Sequence, residues 1–189
     1  MATGNLQFRI ATADDARRLQ QLVQCAFRAE DSRPDWTGDA GLAAHFRLDV
    51  EEVAATIASP DIVTLMAVDD SDALVASIEV SRRGGADCGR LSMIAVDERC
   101  QRGGVGRQVL AYAEDYCRRT WGARGLSLNA LSTRKALIEW YLRRGYRKTG
   151  ETTPFPRERF ASLELPDDLC FVELEKAFGG VPDDAHQLA

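Results

Sequence analysis

Apolar and polar positions along this chain repeat now every second residue and now every third or fourth, which predicts a mixed α/β domain. Phe8 to Ala11 reads as a first strand. Thr12 and Asp15 follow at capping-box spacing, where side chains reach backbone donors at a helix start. Leu19, Leu22, Val23, Ala26 and Phe27 recur at helical intervals, so a first helix runs over residues 13–28. Polar residues 30–38 read as a loop, and a weaker helix over residues 50–58 ends at Ser59-Pro60-Asp61. Ile62 to Val68 and Ala73 to Val80 are β-type runs joined by Asp69-Asp70-Ser71-Asp72, the pattern of a hairpin. Alternation in the second run sets Leu74, Ala76, Ile78 and Val80 on one face and Val75, Ser77 and Glu79 on the other.

A turn over residues 82–87 leads into a strand over residues 90–96. After a glycine-rich stretch, Val105, Val109, Tyr112, Ala113 and Tyr116 form one helical stripe. Leu126, Leu128 and Ala130 alternate as a further strand, and a helix over residues 134–144 stops at Gly145. Residues 146–152 and 169–174 read as the last two strands, with Pro154, Pro156 and Pro166 in the long connection between them. Residues 1–178 are therefore expected to form a single domain and residues 179–189 a flexible tail, in keeping with a length of 189.

Composition narrows the class. Hydrophobic residues at 45% and charged residues at 28% suit a folded domain rather than a disordered chain. The net charge of −5 argues against a general nucleic-acid binder. No apolar run approaches the roughly 18 residues a membrane span requires, and the first five residues do not read as an export signal. The five cysteines contain no C-x-x-C pair, and the two histidines lie far from them in sequence, which gives a metal site little support. Free thiols and a cytoplasmic location are the expectation.

The chemistry concentrates in the strand, turn and helix of residues 91–116. A helix N-terminus carries about half a positive charge and several unpaired N–H groups. Gly103, Gly104 and Gly106 clear side chains from that backbone, and Arg102 and Arg107 add charge beside it. The result is a candidate pyrophosphate site; its alternative is a glycine-rich turn with solvated arginines. A dinucleotide fingerprint fails because Val109 stands where the third glycine belongs, and a P-loop fails at Gly106-Arg107-Gln108. What remains is Gln101-x-x-Gly104-x-Gly106 directly after an apolar strand.

That arrangement resembles the acyl-CoA motif of the GNAT-type N-acetyltransferase superfamily. Ser92-Met93-Ile94-Ala95-Val96-Asp97 resembles the family's central strand, with Glu98 where proline is common. Trp140-Tyr141-Leu142-Arg143-Arg144-Gly145-Tyr146 resembles its closing helix and Tyr-x-x-x-Gly-aromatic signature. Element order agrees from Phe8 to Lys176. One departure is Arg134, seven positions before Tyr141, where many members carry asparagine to contact pantetheine. The resemblance implies a mixed, mostly antiparallel sheet of about seven strands flanked by helices, with the fourth and fifth strands splayed apart.

It further implies direct acetyl transfer from acetyl-CoA to a primary amine, without a metal. By the same carry-over, the backbone of Met93, Ile94, Ala95 and Val96 faces the pantetheine, and one N–H there serves the developing oxyanion. Gln101, Arg102, Gly103, Gly104, Val105, Gly106 and Arg107 then hold the phosphates, and Arg134 lies along the cofactor. Tyr141 corresponds to the residue that protonates the departing thiolate in many relatives, although the spacing of Leu137, Trp140 and Tyr141 also suits core packing. The family supplies no fixed base. Glu79 is a candidate, directly or through water, against the plainer account of a solvent-facing carboxylate. Asn129 suits either ligand binding or a splayed strand edge. The acceptor side maps to residues 33–38 and 154–168, including Trp36, Phe155 and Phe160, which do not distinguish a small-molecule amine from a protein amine. Binding of acyl-CoA without turnover, transfer to oxygen, a longer acyl chain and a homodimer all stay open at this level.

Overall fold

The computed structural model describes residues 5–29, 40–82 and 87–179. Seven strands make one sheet: β1 (Gln7–Ile10), β2 (Ile62–Val68), β3 (Leu74–Arg82), β4 (Cys88–Val96), β5 (Gly125–Leu131), β6 (Arg147–Pro154) and β7 (Cys170–Ala177). Their spatial order is β1-β2-β3-β4-β5-β7-β6, and every pair is antiparallel except β4 with β5. The helices are α1 (Ala16–Arg28), α2 (Ala40–His45), α3 (Val50–Ala58), α4 (Val105–Trp121) and α5 (Lys135–Leu142). None among the described residues is long and apolar enough to cross a membrane.

Local chemistry explains most of the element boundaries. Asp15 accepts the Thr12 N–H at 2.9 Å and two Arg9 N–H bonds at 2.7 Å, which fixes the turn over Ala13–Asp15 that opens α1. In the β2–β3 turn, the Asp69 carboxylate accepts from the N–H groups of Ser71 and Ala73 at 2.9 and 3.0 Å, while Asp72 takes a φ of 61°. That hairpin is as its pattern predicts. The short helix α2 was not expected, because its six residues carry too little periodicity to register. The expected loop over residues 30–38, most of the 82–87 turn and nearly all of the expected tail lie outside the described residues.

The sheet is covered differently on its two faces. Leu65, Ala67, Ile78, Val80, Leu91, Leu126, Leu128 and Leu174 pack with Val105, Val109 and Ala113 of α4 and Leu137, Ile138 and Tyr141 of α5. Burying side chains of this size stabilises by roughly 1.5–3 kcal/mol each, so this layer dominates the core. On the other face, Met66 and Val68 meet Leu19 of α1 and Val53 of α3, and Ala95 meets Leu22 and Val23. One expectation is corrected here. A bulge at Ala67/Val68 shifts the β2–β3 register, so Leu74 packs on the α1 side, away from Ala76, Ile78 and Val80. An inserted residue reverses the side-chain phase, which strict alternation does not anticipate.

Candidate active site

Strands β4 and β5 are paired at only three positions: Cys88 with Gly125, Gly89 with Leu126, and Arg90 with Ser127. Beyond them β4 continues from Leu91 to Val96 and β5 from Leu128 to Leu131 with no ladder between them. The strands fork. At the root the buried Leu126 side chain fills the space over Gly89, where a Cβ would stand 2.7 Å from Leu126 Cδ2.

A polar cluster secures that root. Arg90 Nη1 donates to Glu173 Oε2 at 2.7 Å, while Asn129 and the Thr153 hydroxyl donate to Oε1 at 3.1 and 2.7 Å. Four strands, β4, β5, β6 and β7, are thereby tied to one carboxylate. Burial raises the Glu173 pKa, but the hydrogen bonds from Arg90, Thr153 and Asn129 outweigh it and hold the group below the usual range. Asn129 reaches from β5 to β7 through its contact with Glu173. Sequence reading missed Glu173 because its partner Arg90 is 83 residues away.

Past the root, β4 is irregular where its edge is bare. Ser77 pairs with Ala95 and Glu79 with Ser92, so Met93 and Ile94 together oppose Ile78. Met93 adopts a φ of 49°, a left-handed conformation uncommon for a side chain with a Cβ. Such a bulge takes a backbone group out of the β3 ladder. The Met93 side chain turns toward Leu22 and Val23, and Ile94 toward the α4 side.

At the far end of β4 the chain enters the glycine turn. Arg102 has a φ of 70° and Gly104 of 80°, and Gly104 stands at the N-cap of α4 without any side chain to bond its first N–H groups. The first bond of the helix runs from Gln108 N–H to the Gly104 carbonyl at 3.1 Å. The amides of Val105, Gly106 and Arg107 thus have no intrahelical acceptor and open toward an incoming anion. Arg102 and Arg107 are exposed beside them. The Val105 side chain is in the core, so only its backbone is available. Gln101 folds back, its amide donating to the Val96 carbonyl at 3.5 Å. Asp97 is engaged by Arg99 at 2.7 Å. Cys100 is partly buried, and its thiol pKa is raised by that burial.

Helix α5 closes the same corner. A Cβ on Gly106 would stand 3.6 Å from Val96 Cγ2 and 3.7 Å from Trp140 Cζ2, so β4, the glycine turn and α5 converge there. Tyr141 follows Trp140 and is 5% exposed, edge-on to Trp140 at 5.0 Å and to Tyr146 at 5.7 Å. Burial pushes its phenol up to about 12, against a smaller opposing pull from the Arg134 guanidinium. Arg134 itself is the N-cap residue of α5.

Glu79 is not the solvent-facing carboxylate that alternation suggested. It lines a cavity of about 20 Å³, room for roughly one water, together with Leu19, Val23, Thr64, Ser77 and Met93. Helices α1 and α3 cover that face. Burial raises the Glu79 pKa, offset in part by the Ser92 hydroxyl 3.4 Å away. The candidate residues therefore divide between the β4 edge with its glycine turn and α5, and a carboxylate facing α1 across the Met93 bulge. In the acceptor segments, residues 33–38 lie outside the described residues, whereas Phe155 packs against Phe160 and Phe171.

A sequence model of the Acetyltransferase (GNAT) family matches residues 19–146. No curated protein sequence gives a significant match. Among solved structures, the ribosomal-protein-S18-alanine N-acetyltransferase of Escherichia coli superposes with a TM-score of 0.69 at 15% identity, covering 97% of this chain and 100% of that one. PaiA N-acetyltransferase from Thermoplasma acidophilum, in complex with coenzyme A, gives 0.65 at 16%, covering 92% and 99%. An acetyltransferase of the GNAT family from Streptococcus pneumoniae gives 0.67 at 18%, covering 92% and 100%. At these identities the structural likeness speaks for the fold. The family match, spanning the forked strand, the glycine turn and the tyrosine helix, makes this chain a member of the GNAT acetyltransferase family, and hence an acyltransferase.

Proposed function

We propose that the protein transfers the acetyl group of acetyl-CoA directly to a primary amine. The observation that carries this reading is the bare β4 edge running from the fork into an uncapped, glycine-lined helix start. An extended pantetheine fits such an edge as an added strand, and a pyrophosphate fits the amides of Val105, Gly106 and Arg107. Gly103 and Gly104 keep that approach open, with Arg102 and Arg107 adding charge. Arg134, beside Tyr141, occupies the corner where the pantetheine passes toward α5. Gln101 acts from behind by holding the end of β4 in place.

The acceptor nitrogen attacks the thioester carbonyl carbon, and the carbonyl oxygen takes up the negative charge. An N–H of the Met93–Val96 backbone, displaced from its ladder by the bulge, stabilises that oxyanion, an interaction of several kcal/mol when preorganised. The C–S bond then breaks, and Tyr141 gives its proton to the departing thiolate. A phenol near 12 stays protonated throughout the physiological range. It is a weak acid for this thiolate, so proton transfer accompanies bond breaking rather than following it. Glu79 takes the proton lost by the amine, directly or through one water in its cavity. Its raised pKa makes it a stronger base than an exposed glutamate.

Calorimetric titration with acetyl-CoA, followed by free-thiol release over a panel of amines, tests the reading. Binding by the parent, lost in Gly104→Glu and Gly106→Glu, is the expected result. Absence of acetyl-CoA binding to the folded parent refutes it.

A further inference from the structure

Along the sheet and on α4, several described arginines hold a carboxylate, as Arg90, Arg99, Arg118, Arg119 and Arg147 do. Around the glycine turn the pattern fails. Arg107, Arg143 and Arg144 enter none of the described ion pairs. The three are nevertheless drawn together. Arg107 folds back over the turn, its Nη2 only 3.8 Å from where a Gly104 Cβ would stand. Trp140 flanks the same turn through its contact at Gly106. Arg144 stacks on the Trp140 ring, its guanidinium carbon 3.8 Å from the centroid.

Arg144 is also held rather than loose. Its Nη1 donates to the Trp140 carbonyl at 3.0 Å, while its Nε is buried with no acceptor among the described residues. After burial, the charges of Arg143 and Arg107 are what lower its pKa, so the three guanidiniums repel one another. A fold gains no stability by concentrating unpaired like charge; a polyanion that seats there does. The amides of the glycine turn and Arg102 serve the pyrophosphate, and Arg107, folded over the turn, joins that site to Arg143 and Arg144, which leaves these cations for an anion one sugar away. In CoA, the ribose whose 5′ carbon carries the pyrophosphate bears a further phosphate on its 3′ oxygen.

We infer that Arg107, Arg143 and Arg144, braced by Trp140, form a receptor for the ribose 3′-phosphate, so that this chain distinguishes CoA from 3′-dephospho-CoA. The inference rests on the CoA reading above and adds a discrimination that the reading does not require. Guanidinium is suited to the task because its fork of donors engages two phosphate oxygens at once.

Calorimetry of CoA and 3′-dephospho-CoA against the parent, Arg143→Gln and Arg144→Gln provides the test. The parent should bind dephospho-CoA at least about tenfold more weakly, the equivalent of one charge-assisted hydrogen bond. Each substitution should weaken CoA about five- to tenfold while leaving dephospho-CoA within about twofold, so the ratio collapses. Arg143 is exposed, so its variant should keep the parental melting temperature even if Arg144→Gln loosens α5. Equal, tight binding of both ligands by the parent overturns the receptor and leaves the CoA reading standing. An equal loss of both ligands in Arg143→Gln also overturns it, by reducing the arginines to general attraction. Binding of neither ligand by the folded parent overturns both proposals together.

Discussion

Replacing Glu173 by glutamine removes one charge and almost no volume from the root of the fork. The carboxylate accepts from Arg90 at 2.7 Å, Thr153 at 2.7 Å and Asn129 at 3.1 Å. Glutamine can still accept from one or two of these, but Arg90 is left inside the protein without its counter-charge. Removing one partner of a fully buried pair costs about 3–5 kcal/mol. The side chains here keep 11% exposure for Glu173 and 17% for Arg90, which reduces the expected cost to about 2–3 kcal/mol. Urea unfolding at neutral pH should show that loss, and thermal unfolding a drop of about 4–12 °C. The pH dependence has a definite sign. Because the folded protein holds this carboxyl below its usual value, its contribution is present above the ordinary carboxylate range and is lost as pH falls through that range and below it. The gap between parent and variant should therefore narrow in acid. An unfolding free energy within about 0.5 kcal/mol of the parent at pH 7, or a gap unchanged at acidic pH, refutes the assignment of this ion pair as the clamp of the fork.

The other expectations concern chemistry and backbone. Tyr141→Phe should lower kcat by about a hundredfold or more while acetyl-CoA affinity, read by calorimetry, stays within about twofold; with the phenol near 12, the parent's pH–rate profile should show no basic limb from this group below that value. Glu79→Gln should reduce turnover yet raise the melting temperature at neutral pH: a carboxyl whose folded pKa is raised loses stability as pH rises through that range, and glutamine removes the burden. Gly104→Ala has room for its Cβ but must keep a φ of 80°, so denaturant unfolding should show about 1–2 kcal/mol of destabilisation. Gly106→Ala, with ordinary contacts at 3.6 and 3.7 Å, should be neutral or stabilising by up to about 1 kcal/mol.

What the sequence determined by itself was local in its physical cause. The hairpin at Asp69–Asp72, the start of α1 at Thr12–Asp15 and the glycine turn at 103–106 each depend on neighbours within a few residues. Apolar periodicity likewise placed the longer helices, and every strand except the polar, wholly exposed β6, close to where they stand. The Gln101-x-x-Gly104-x-Gly106 and Tyr141-x-x-x-Gly145 spacings sufficed to point to the family. Tertiary structure decided what depends on register and long-range approach. Two bulges are invisible to alternation because one extra residue changes the phase without changing the composition. One moved Leu74 to the α1 side, and the other turned Met93 into a left-handed kink on the bare β4 edge. Whether Glu79 met water or a covering helix depended on where α1 and α3 packed, as did its perturbed pKa. The root of the fork is secured by β7, which inserts between β5 and β6 and supplies Glu173 to Arg90 across 83 residues. Charge pairing at that separation leaves no trace in a linear pattern, because its partners become neighbours only once the sheet has formed.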